Sequence, residues 1–167
     1  MQHGDGFIIL SSFEVADAPM LFEADTDPEH RRRFDFPHDF RPSIRHAEEV
    51  IARWENERVN GIRFVYAVRN ATTGQVLGGV ELLPLGDGTA NLSYWTHPLQ
   101  RRQGIASRAA SLACRIAFRD LGFRTVRVLV DADNTASRRV ALAARFLEAG
   151  IQYGRVCFIL HSTHNPQ

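Results

Sequence analysis

The sequence contains no lysine, because all 20 of its basic residues are arginine. A chain without lysine cannot form a Schiff base with a carbonyl substrate, and it cannot contain a phosphate loop that ends in Gly-Lys-Ser or Gly-Lys-Thr. Cysteine is scarce too: only Cys114 and Cys157 are present, and their spacing fits neither a disulfide framework nor a metal site. We therefore expect two core thiols in a reducing compartment, and no metal.

The sequence also lacks a long hydrophobic run. A membrane helix needs roughly 18 consecutive apolar residues, whereas the longest apolar segments, such as 156–160, have the length of a strand. Residues 1–6 do not have the basic and then apolar segments of a secretory signal. We therefore expect a cytoplasmic protein without membrane contact. The length of 167 residues, with 44% hydrophobic and 23% charged residues, predicts a single globular domain over 1–167.

The charge of the chain is small but unevenly distributed. The formal net charge of +1 argues against nucleic acid as a partner. Residues 1–60 carry 7 Arg against 13 acidic residues, whereas residues 61–167 carry 13 Arg against 6. The second part would attract a polyanionic small molecule, and the first part a cationic group. The alternative is that the asymmetry only reflects a solvated surface and has no function.

The pattern of apolar residues, caps and turn residues predicts helices followed by strands in the first half of the chain. The predicted elements are a strand at 7–12, a helix from Asp17 to about Ala24, loops or short helical turns over 25–42, a helix that Ser43 caps and that ends before Asn60, and strands at 64–68, 75–83 and 90–96. The short turns between these last three strands predict an antiparallel meander.

The second half of the chain alternates helices and strands. The predicted elements are a helix from Ile105 that stops at Gly122, a strand at 124–130, a helix capped by Asn134 with Leu147 on its apolar face, and one or two closing strands over 151–161. This order predicts an α/β protein with one mixed sheet.

The most informative segment runs from Tyr94 to Ala106, where a strand ends, a loop with one glycine follows, and a helix begins. The backbone N–H groups of such a loop, together with the helix N-terminus, form an anion-binding concavity. Gly104 lets the backbone approach a phosphate closely, and Arg101 and Arg102 add positive charge beside it. The segment therefore predicts a phosphate-binding site.

These residues resemble the GNAT superfamily of acetyl-CoA-dependent N-acetyltransferases. Its signature, Gln/Arg-x-x-Gly-x-Gly/Ala, is matched by Arg101, Gly104 and Ala106. The chain is most similar to the RimJ/RimL-type branch of ribosomal-protein N-terminal acetyltransferases. The matching features are Asp17-Ala18, Thr26-Asp27-Pro28-Glu29, Gly78-Gly79, Tyr94-Trp95-x-His97-Pro98 and Asn134-x-x-Ser137-x-x-Val140. The resemblance covers about residues 7 to 150 and implies a single mixed, mostly antiparallel twisted sheet flanked by helices, the acyl-CoA N-acyltransferase fold.

The resemblance implies acetyl-CoA as co-substrate and assigns residues to it. The pyrophosphate would contact the N–H groups of Gln103, Gly104, Ile105 and Ala106, with Arg101 and Arg102 beside it. The backbone of Trp95, Thr96 and His97 would lie where two strands separate, and would pair with the pantetheine arm as an added strand does. Asn134 would contact the same arm, although it also suits a simple helix cap.

The catalytic residues are predicted from the same likeness and from the chemistry of amines. Many GNAT enzymes carry a tyrosine that protonates the CoA thiolate, but that position here is Ala141; the nearest hydroxyl is Ser137, which otherwise reads as an ordinary first-turn serine. The amine must be neutral to attack. Glu81 is our predicted base, with the alternative candidates Glu23, Asp35 and Glu148, or water leading to a distant carboxylate.

The predicted reaction is direct attack of a primary amine on the acetyl group, with the amine on a protein N-terminus or a small molecule. The sequence departs from the branch at Arg145-Phe146, where Gly-Phe is usual, at Ala149-Gly150, where Glu-Gly is common, and in a closing hairpin that looks short. These changes keep open an alternative in which the chain is a catalytically silent CoA-binding sensor or interaction module. A homodimer is also left open.

Overall fold

The computed structural model describes residues 3–163, which form one eight-stranded sheet with helices on both faces. The strands are β1 (His3–Gly4), β2 (Ile8–Ser11), β3 (Phe64–Asn70), β4 (Val76–Pro84), β5 (Thr89–Thr96), β6 (Thr125–Val130), β7 (Leu147–Gln152) and β8 (Arg155–His161). The helices are α1 (Ala18–Thr26), α2 (Pro28–Arg33), α3 (Ile44–Val59), α4 (Ile105–Arg119) and α5 (Thr135–Ala143), with short 3-10 turns at Val15–Asp17 and Pro98–Gln100.

The sheet confirms the predicted fold class. Its strand order is β1-β2-β3-β4-β5-β6-β8-β7. Every neighbouring pair is antiparallel except β5 and β6, which are parallel because α4 connects them as a crossover. Parallel pairing covers only Thr89–Asn91 against Thr125–Arg127, so the two strands separate beyond Asn91. This separation creates a gap in the middle of the sheet.

The core has two layers, one on each face of the sheet. Helix α4 packs the buried residues Ile105, Ala109 and Leu112 against one face, together with Val68 of β3 and Leu92 of β5. Helices α1 and α3 cover part of the other face, where the buried residues are Phe13, Ala18, Leu21, Ala47, Ile51, Val65, Ala67 and Val76. The strand alternation of side chains explains this division, since Ala67 and Val68 point to opposite faces.

Asp17 stabilises the start of α1 differently from the prediction. Its carboxylate does not cap α1; it accepts a hydrogen bond from the backbone N–H of Glu14 (2.8 Å) and pairs with Arg69 of β3. Arg69 also donates to the Ser11 hydroxyl (2.8 Å) and to the Ser12 carbonyl (3.1 Å). This partly buried arginine therefore ties the segment after β2 to the sheet.

Helix α5 is shorter than the sequence indicated. The prediction that Leu147 lies on its apolar face is wrong: α5 ends at Ala143, and Leu147 begins β7 with 74% of its surface exposed. Arg145 adopts a left-handed φ of 70°, and the N–H groups of Arg145 and Phe146 donate to the carbonyls of Leu142 and Ala141. These two bonds form a Schellman motif, which ends a helix whatever the apolar period beyond it. The closing hairpin of β7 and β8 has strands of six and seven residues.

The Gly78-Gly79 pair on β4 permits the close approach of β5. A Cβ at Gly78 would collide with the Trp95 backbone carbonyl, and a Cβ at Gly79 would lie 2.6 Å from the Trp95 indole nitrogen. Trp95 therefore lies directly across Gly79, in register with it. Neither glycine has a positive φ, so glycine is needed at these two positions because it has no side chain and not because of its backbone conformation.

We expect Gly78→Ala to lower the free energy of unfolding by about 3 kcal/mol, because the new methyl group overlaps backbone that cannot rotate away. Gly74→Ala is the matched control: it has a φ of 75° and open space around its Cβ, so it should cost only the backbone strain of about 1 kcal/mol. Urea unfolding of both variants measures the difference. A Gly78→Ala cost no larger than the Gly74→Ala cost would contradict the close approach.

Candidate active site

The gap between β5 and β6 exposes specific backbone groups of β5. The His97 N–H donates to the Leu77 carbonyl (2.8 Å), so His97 and its alternate neighbour Trp95 turn their backbone toward β4. By the same alternation, Tyr94 and Thr96 turn their backbone N–H and carbonyl groups toward the gap. Of the three residues predicted to pair their backbone with a pantetheine arm, only Thr96 turns its N–H and carbonyl groups toward the gap, and Tyr94 does so as well. The backbone groups of Trp95 and His97 face β4 instead.

The predicted phosphate-binding loop lies between β5 and α4, at the end of this gap. Gly104 is the N-cap of α4 with a left-handed φ of 72°, and a Cβ there would meet nothing within 4 Å. The N–H groups in the first turn of α4 have no partner inside the helix, so they and the open space above Gly104 suit an anion. Arg102 is exposed with a φ of 64°, and its side chain makes no hydrogen bond or ion pair within residues 3–163.

Arg101 connects this loop to α2. Its guanidinium lies 2.8 Å from the carboxylate of Asp27, which also caps α2 by accepting from the His30 N–H (2.9 Å). Burial opposes ionisation of Asp27, but the hydrogen bonds from Arg101 and His30 outweigh it and hold the pKa of Asp27 below its usual value. Of the two predicted arginines, Arg101 is thus engaged by protein and Arg102 faces solvent.

Helix α2 continues across the open end of the gap to the segment after β6. Arg33 lies 2.8 Å from Asp131 and 2.9 Å from Asp133, and only 16% of its side chain is exposed. Glu29 accepts from Arg33 as well (2.8 Å). Because Arg101 follows β5 and Asp131 follows β6, α2 bridges the ends of the two strands that separate.

Ser137 and Tyr94 form a hydroxyl pair next to the gap. The Ser137 Oγ lies 2.8 Å from the Tyr94 hydroxyl, which also lies 3.1 Å from the Ser137 carbonyl. Asn134 accepts from the Ser137 N–H (3.1 Å), which confirms its predicted role as the cap of α5. Burial raises the pKa of Tyr94 to about 12, against a smaller opposing effect of the Ser137 hydrogen bond. We missed Tyr94 in the sequence, although it stands in the Tyr94-Trp95-x-His97-Pro98 run.

A cavity of about 380 Å³ lies on the opposite face of β4 and β5, under α1, α2 and α3. Its strand residues are Val65 of β3, Val80 and Glu81 of β4, and Ser93 and Trp95 of β5. Its other residues are Leu21, Asp25, His30, Phe34, Phe36, Pro37, Phe40, His46, Val50, Arg53, Trp54 and Arg63. Most of these residues are apolar or aromatic, and a few polar groups point among them, as in pockets for small ligands.

Glu81 is the predicted base that lines this cavity. Its carboxylate accepts a hydrogen bond from Arg63 (3.1 Å), the residue just before β3. The three alternative candidates do not line the cavity and lie near other partners: Glu23 near His97 (3.1 Å), Asp35 near Arg155 (3.2 Å) and Glu148 near Arg138 (3.6 Å). A second carboxylate that the sequence analysis missed, Asp25, also lines the cavity.

His97 has every polar group engaged at the end of β5. Its Nδ1 accepts from the Leu99 N–H (3.3 Å), its Nε2 faces Glu23 (3.1 Å), and its carbonyl accepts from the Gln100 N–H (2.8 Å). A ring nitrogen that accepts leaves the other to carry the proton, so Nε2 donates to Glu23. The imidazole therefore fixes the turn that leads into the loop.

The comparisons with known proteins identify the family. The family model described as an acetyltransferase (GNAT) domain matches residues 8–147. The chain belongs to the GNAT family. It is an N-acetyltransferase by that membership, and its mixed sheet is the fold of these enzymes. No curated protein sequence matches the chain.

Solved structures of GNAT acetyltransferases share this fold at low sequence identity. RimJ of Mycobacterium smegmatis, in complex with a CoA disulfide, is 17% identical with a TM-score of 0.78, covering 99% of this chain and 88% of that one. RimL, a ribosomal alpha-N-protein acetyltransferase in complex with coenzyme A, is 15% identical (TM-score 0.79; 96% and 98% covered). MccE, a microcin self-immunity acetyltransferase in complex with acetyl-CoA and AMP, is 17% identical (TM-score 0.75; 95% and 94% covered). The RimJ, RimL and MccE structures therefore share the fold of this chain.

No cluster of three or more His, Cys, Asp or Glu side chains within residues 3–163 is arranged to hold a metal ion. No helix in the same part of the chain is long and apolar enough to cross a membrane.

The buried phenol of Tyr94 predicts a pH dependence of stability. A pKa raised from 10.0 to about 12 means that the unfolded chain loses this proton at lower pH than the folded one, so stability falls as pH rises above about 10. By linkage, Tyr94 should cost about 1 kcal/mol of stability between pH 8 and pH 11. Tyr94→Phe should reduce this alkaline loss by that amount in urea unfolding at several pH values. An unchanged pH slope would contradict the burial of the phenol.

Proposed function

We propose that this chain transfers the acetyl group of acetyl-CoA to a primary amine that attacks the thioester carbonyl directly. One observation supports this most: the gap between β5 and β6 has the loop at Gly104 at its end, the Tyr94–Ser137 pair on one side, and the Glu81 cavity on the other face. The arrangement offers separate approaches for a cofactor arm and for an amine. A cytoplasmic location and a homodimer remain predictions.

We assign acetyl-CoA to the gap and the loop. The N–H groups of Gln103, Gly104, Ile105 and Ala106 would hold the pyrophosphate, and Arg102 would add charge from solvent. Arg101 would contact a phosphate only by sharing its guanidinium with Asp27. Thr96 and Tyr94 would pair their backbone with the pantetheine arm. Bound in this way, the thioester supplies the activated acetyl group.

The protein's own contribution is proximity, polarisation and proton transfer. A backbone N–H of β5 that faces the gap would polarise the acetyl carbonyl and stabilise its developing negative charge. Holding the amine in the adjacent cavity would make the attack effectively intramolecular. Glu81 would accept the amine proton, because it is the candidate base that lines the cavity and has one oxygen outside the Arg63 hydrogen bond.

Ser137 would pass a proton to the departing thiolate and would take one back from solvent, to which Glu81 releases the proton that the amine loses. Tyr94 has one hydroxyl proton and two neighbouring acceptors on Ser137, so it orients the serine side chain. Ser137 also lies in the first turn of α5, where the partial positive charge of the helix end favours a thiolate.

The alternative of a silent CoA-binding module makes a distinct prediction. A module that has lost catalysis would bind acetyl-CoA but acetylate no amine. The departure at Ala149-Gly150 lies in β7, where pairing with β8 shifts between Glu148 and Ile151. Neither Ala149 nor Gly150 lines the cavity, so this departure does not by itself favour a loss of turnover. CoA release from acetyl-CoA, corrected for hydrolysis and measured with a panel of primary amines, separates the two functions.

We expect Gly104→Val to weaken acetyl-CoA binding at least tenfold, because a branched side chain would strain a φ of 72° and fill the space assigned to the pyrophosphate. Gly122→Val is the matched control at the other end of α4, with a φ of 73° and equally open space. Calorimetry should show the loss for Gly104→Val alone. Equal affinities in the two variants would remove the phosphate from this loop.

Ser137→Ala should lower kcat by roughly 10- to 100-fold and leave the acetyl-CoA Kd nearly unchanged, because a thiol is a good leaving group that needs modest acid assistance. Thr135→Ala, which removes an exposed hydroxyl from the same helical turn, is the control and should leave kcat unchanged. Single-turnover acetyl transfer separates chemistry from product release. A raised Kd with normal kcat would make Ser137 a binding residue instead.

A further inference from the structure

The cavity wall away from the sheet consists mainly of aromatic rings that pack against one another. The His30 ring lies edge-on to Trp95 (5.3 Å between centroids) and to Phe36 (5.6 Å), and Phe36 lies edge-on to Phe40 (5.0 Å). Arg31 fixes the far end, since it donates to the Phe40 carbonyl (2.8 Å). Edge-to-face packing of this kind favours a further ring in the same space.

Asp25 lines the same cavity as this aromatic wall, and it has no ion pair with an arginine within residues 3–163. Only 7% of its surface is exposed, and its carboxylate lies 3.6 Å from the His30 Nε2, beyond hydrogen-bond distance. Within residues 3–163 it accepts no hydrogen bond. A carboxylate that accepts no hydrogen bond from the protein can accept one from a bound molecule, so a cationic or N–H-donating ligand in the cavity would suit it.

The other charges of the cavity neutralise one another within the protein. Arg63 pairs with Glu57 and Glu81, both at 3.1 Å, and Arg53 lies 4.0 Å from Glu57. Asp25 therefore carries the negative charge of the cavity that no arginine within residues 3–163 pairs with, and its nearest partner is the His30 imidazole. The combination of an apolar, aromatic space and one carboxylate that no arginine pairs with is complementary to an amine that carries an apolar group.

The cavity also lies next to the gap assigned to the thioester, which the amine of an acceptor has to reach. Ser93 and Trp95 contribute to its floor, and both follow Asn91, the last residue of β5 that pairs with β6. A group held against Ser93 and Trp95 is therefore next to the gap assigned to the thioester. The volume of about 380 Å³ is at the small end for ligand pockets, which suits one ring and its amine.

We propose that this cavity binds the acceptor, and that the acceptor carries an aromatic group close to its primary amine, with the amine facing Asp25. The role of the bound amine as an acceptor rests on the proposed acetyl transfer. Binding of the amine in the cavity does not depend on that transfer. A free aromatic amine and the N-terminal residue of a peptide share this chemistry, and the experiment compares both.

The first experiment compares acceptors of matched amine and different side group. At saturating acetyl-CoA, 2-phenylethylamine should have a kcat/KM about 10- to 100-fold higher than ethylamine, because it buries a ring. A peptide that begins with Phe, compared with the same peptide beginning with Ser, tests the other source. Preference in the free-amine pair alone assigns a small-molecule acceptor, and preference in the peptide pair assigns a protein N-terminus. Equal rates within both pairs would overturn the proposal.

The second experiment measures binding without turnover. The only two tryptophans of the chain, Trp54 and Trp95, both line the cavity, so intrinsic fluorescence reports its occupancy directly. Asp25→Asn should weaken binding of 2-phenylethylamine about tenfold and leave binding of the neutral 2-phenylethanol unchanged. Equal effects on the amine and the alcohol would overturn the role of Asp25.

Phe36→Ala tests the aromatic wall, and Val59→Ala, an exposed truncation at the end of α3, is its control. Phe36→Ala should bring the kcat/KM ratio of 2-phenylethylamine to ethylamine close to one, and Val59→Ala should leave that ratio unchanged. Acetyl-CoA affinity and thermal unfolding establish that each variant is folded. Fluorescence-detected binding of 2-phenylethylamine without acetylation of any amine would refute the proposed function and support the pocket. Acetylation of amines without such binding would refute the pocket alone.

Discussion

The separation of β5 from β6 after Asn91 is the constraint on which the rest of the site depends. A parallel pair that stays together would bond the backbone of Tyr94 and Thr96 to β6 and leave no entrance in the sheet. The separation requires β5 to be held from its other side, and β4 provides this through the Gly78-Gly79 pair and the bond from His97 to Leu77. The glycines therefore contribute to function by fixing one edge of the gap.

An open gap in a sheet leaves the strand ends poorly supported, and α2 compensates for this. Its ion pairs reach Arg101 on one side of the gap and Asp131 and Asp133 on the other. Exposed ion pairs contribute little stability, but Arg33 is mostly buried and contacts three carboxylates, counting Glu29. The same helix is followed by the loop that carries Phe36 and Phe40, so the connection across the gap also positions the wall of the cavity.

The sequence predicted the parts of the molecule that depend on local patterns. The fold class, the strand that ends at Thr96, the helix that starts at Ile105 and the cap at Asn134 all follow from periodicity, caps and one glycine motif. The predicted end of α5 was wrong because Arg145 adopts the left-handed backbone conformation that ends the helix. In a sequence this conformation is expected at glycine, so an arginine gives no signal for it. Asp25 and the aromatic wall were missed for another reason: they come from α1, α2 and a loop without regular structure, and only the tertiary fold brings them to Glu81.

The two faces of β5 divide the chemistry that the fold can support. Alternation along the strand sends the Tyr94 side chain to Ser137 and the α4 layer, and sends Ser93 and Trp95 to the cavity under α1 and α3. An amine held by Asp25 and deprotonated by Glu81 would thus reach the carbonyl from one face, and the thiolate would receive its proton from the other. Acid and base on opposite faces do not neutralise each other, and neither has to move between the two proton transfers. Strand β5 makes this division possible because it pairs with β4 from Ala90 to Thr96 but with β6 only up to Asn91.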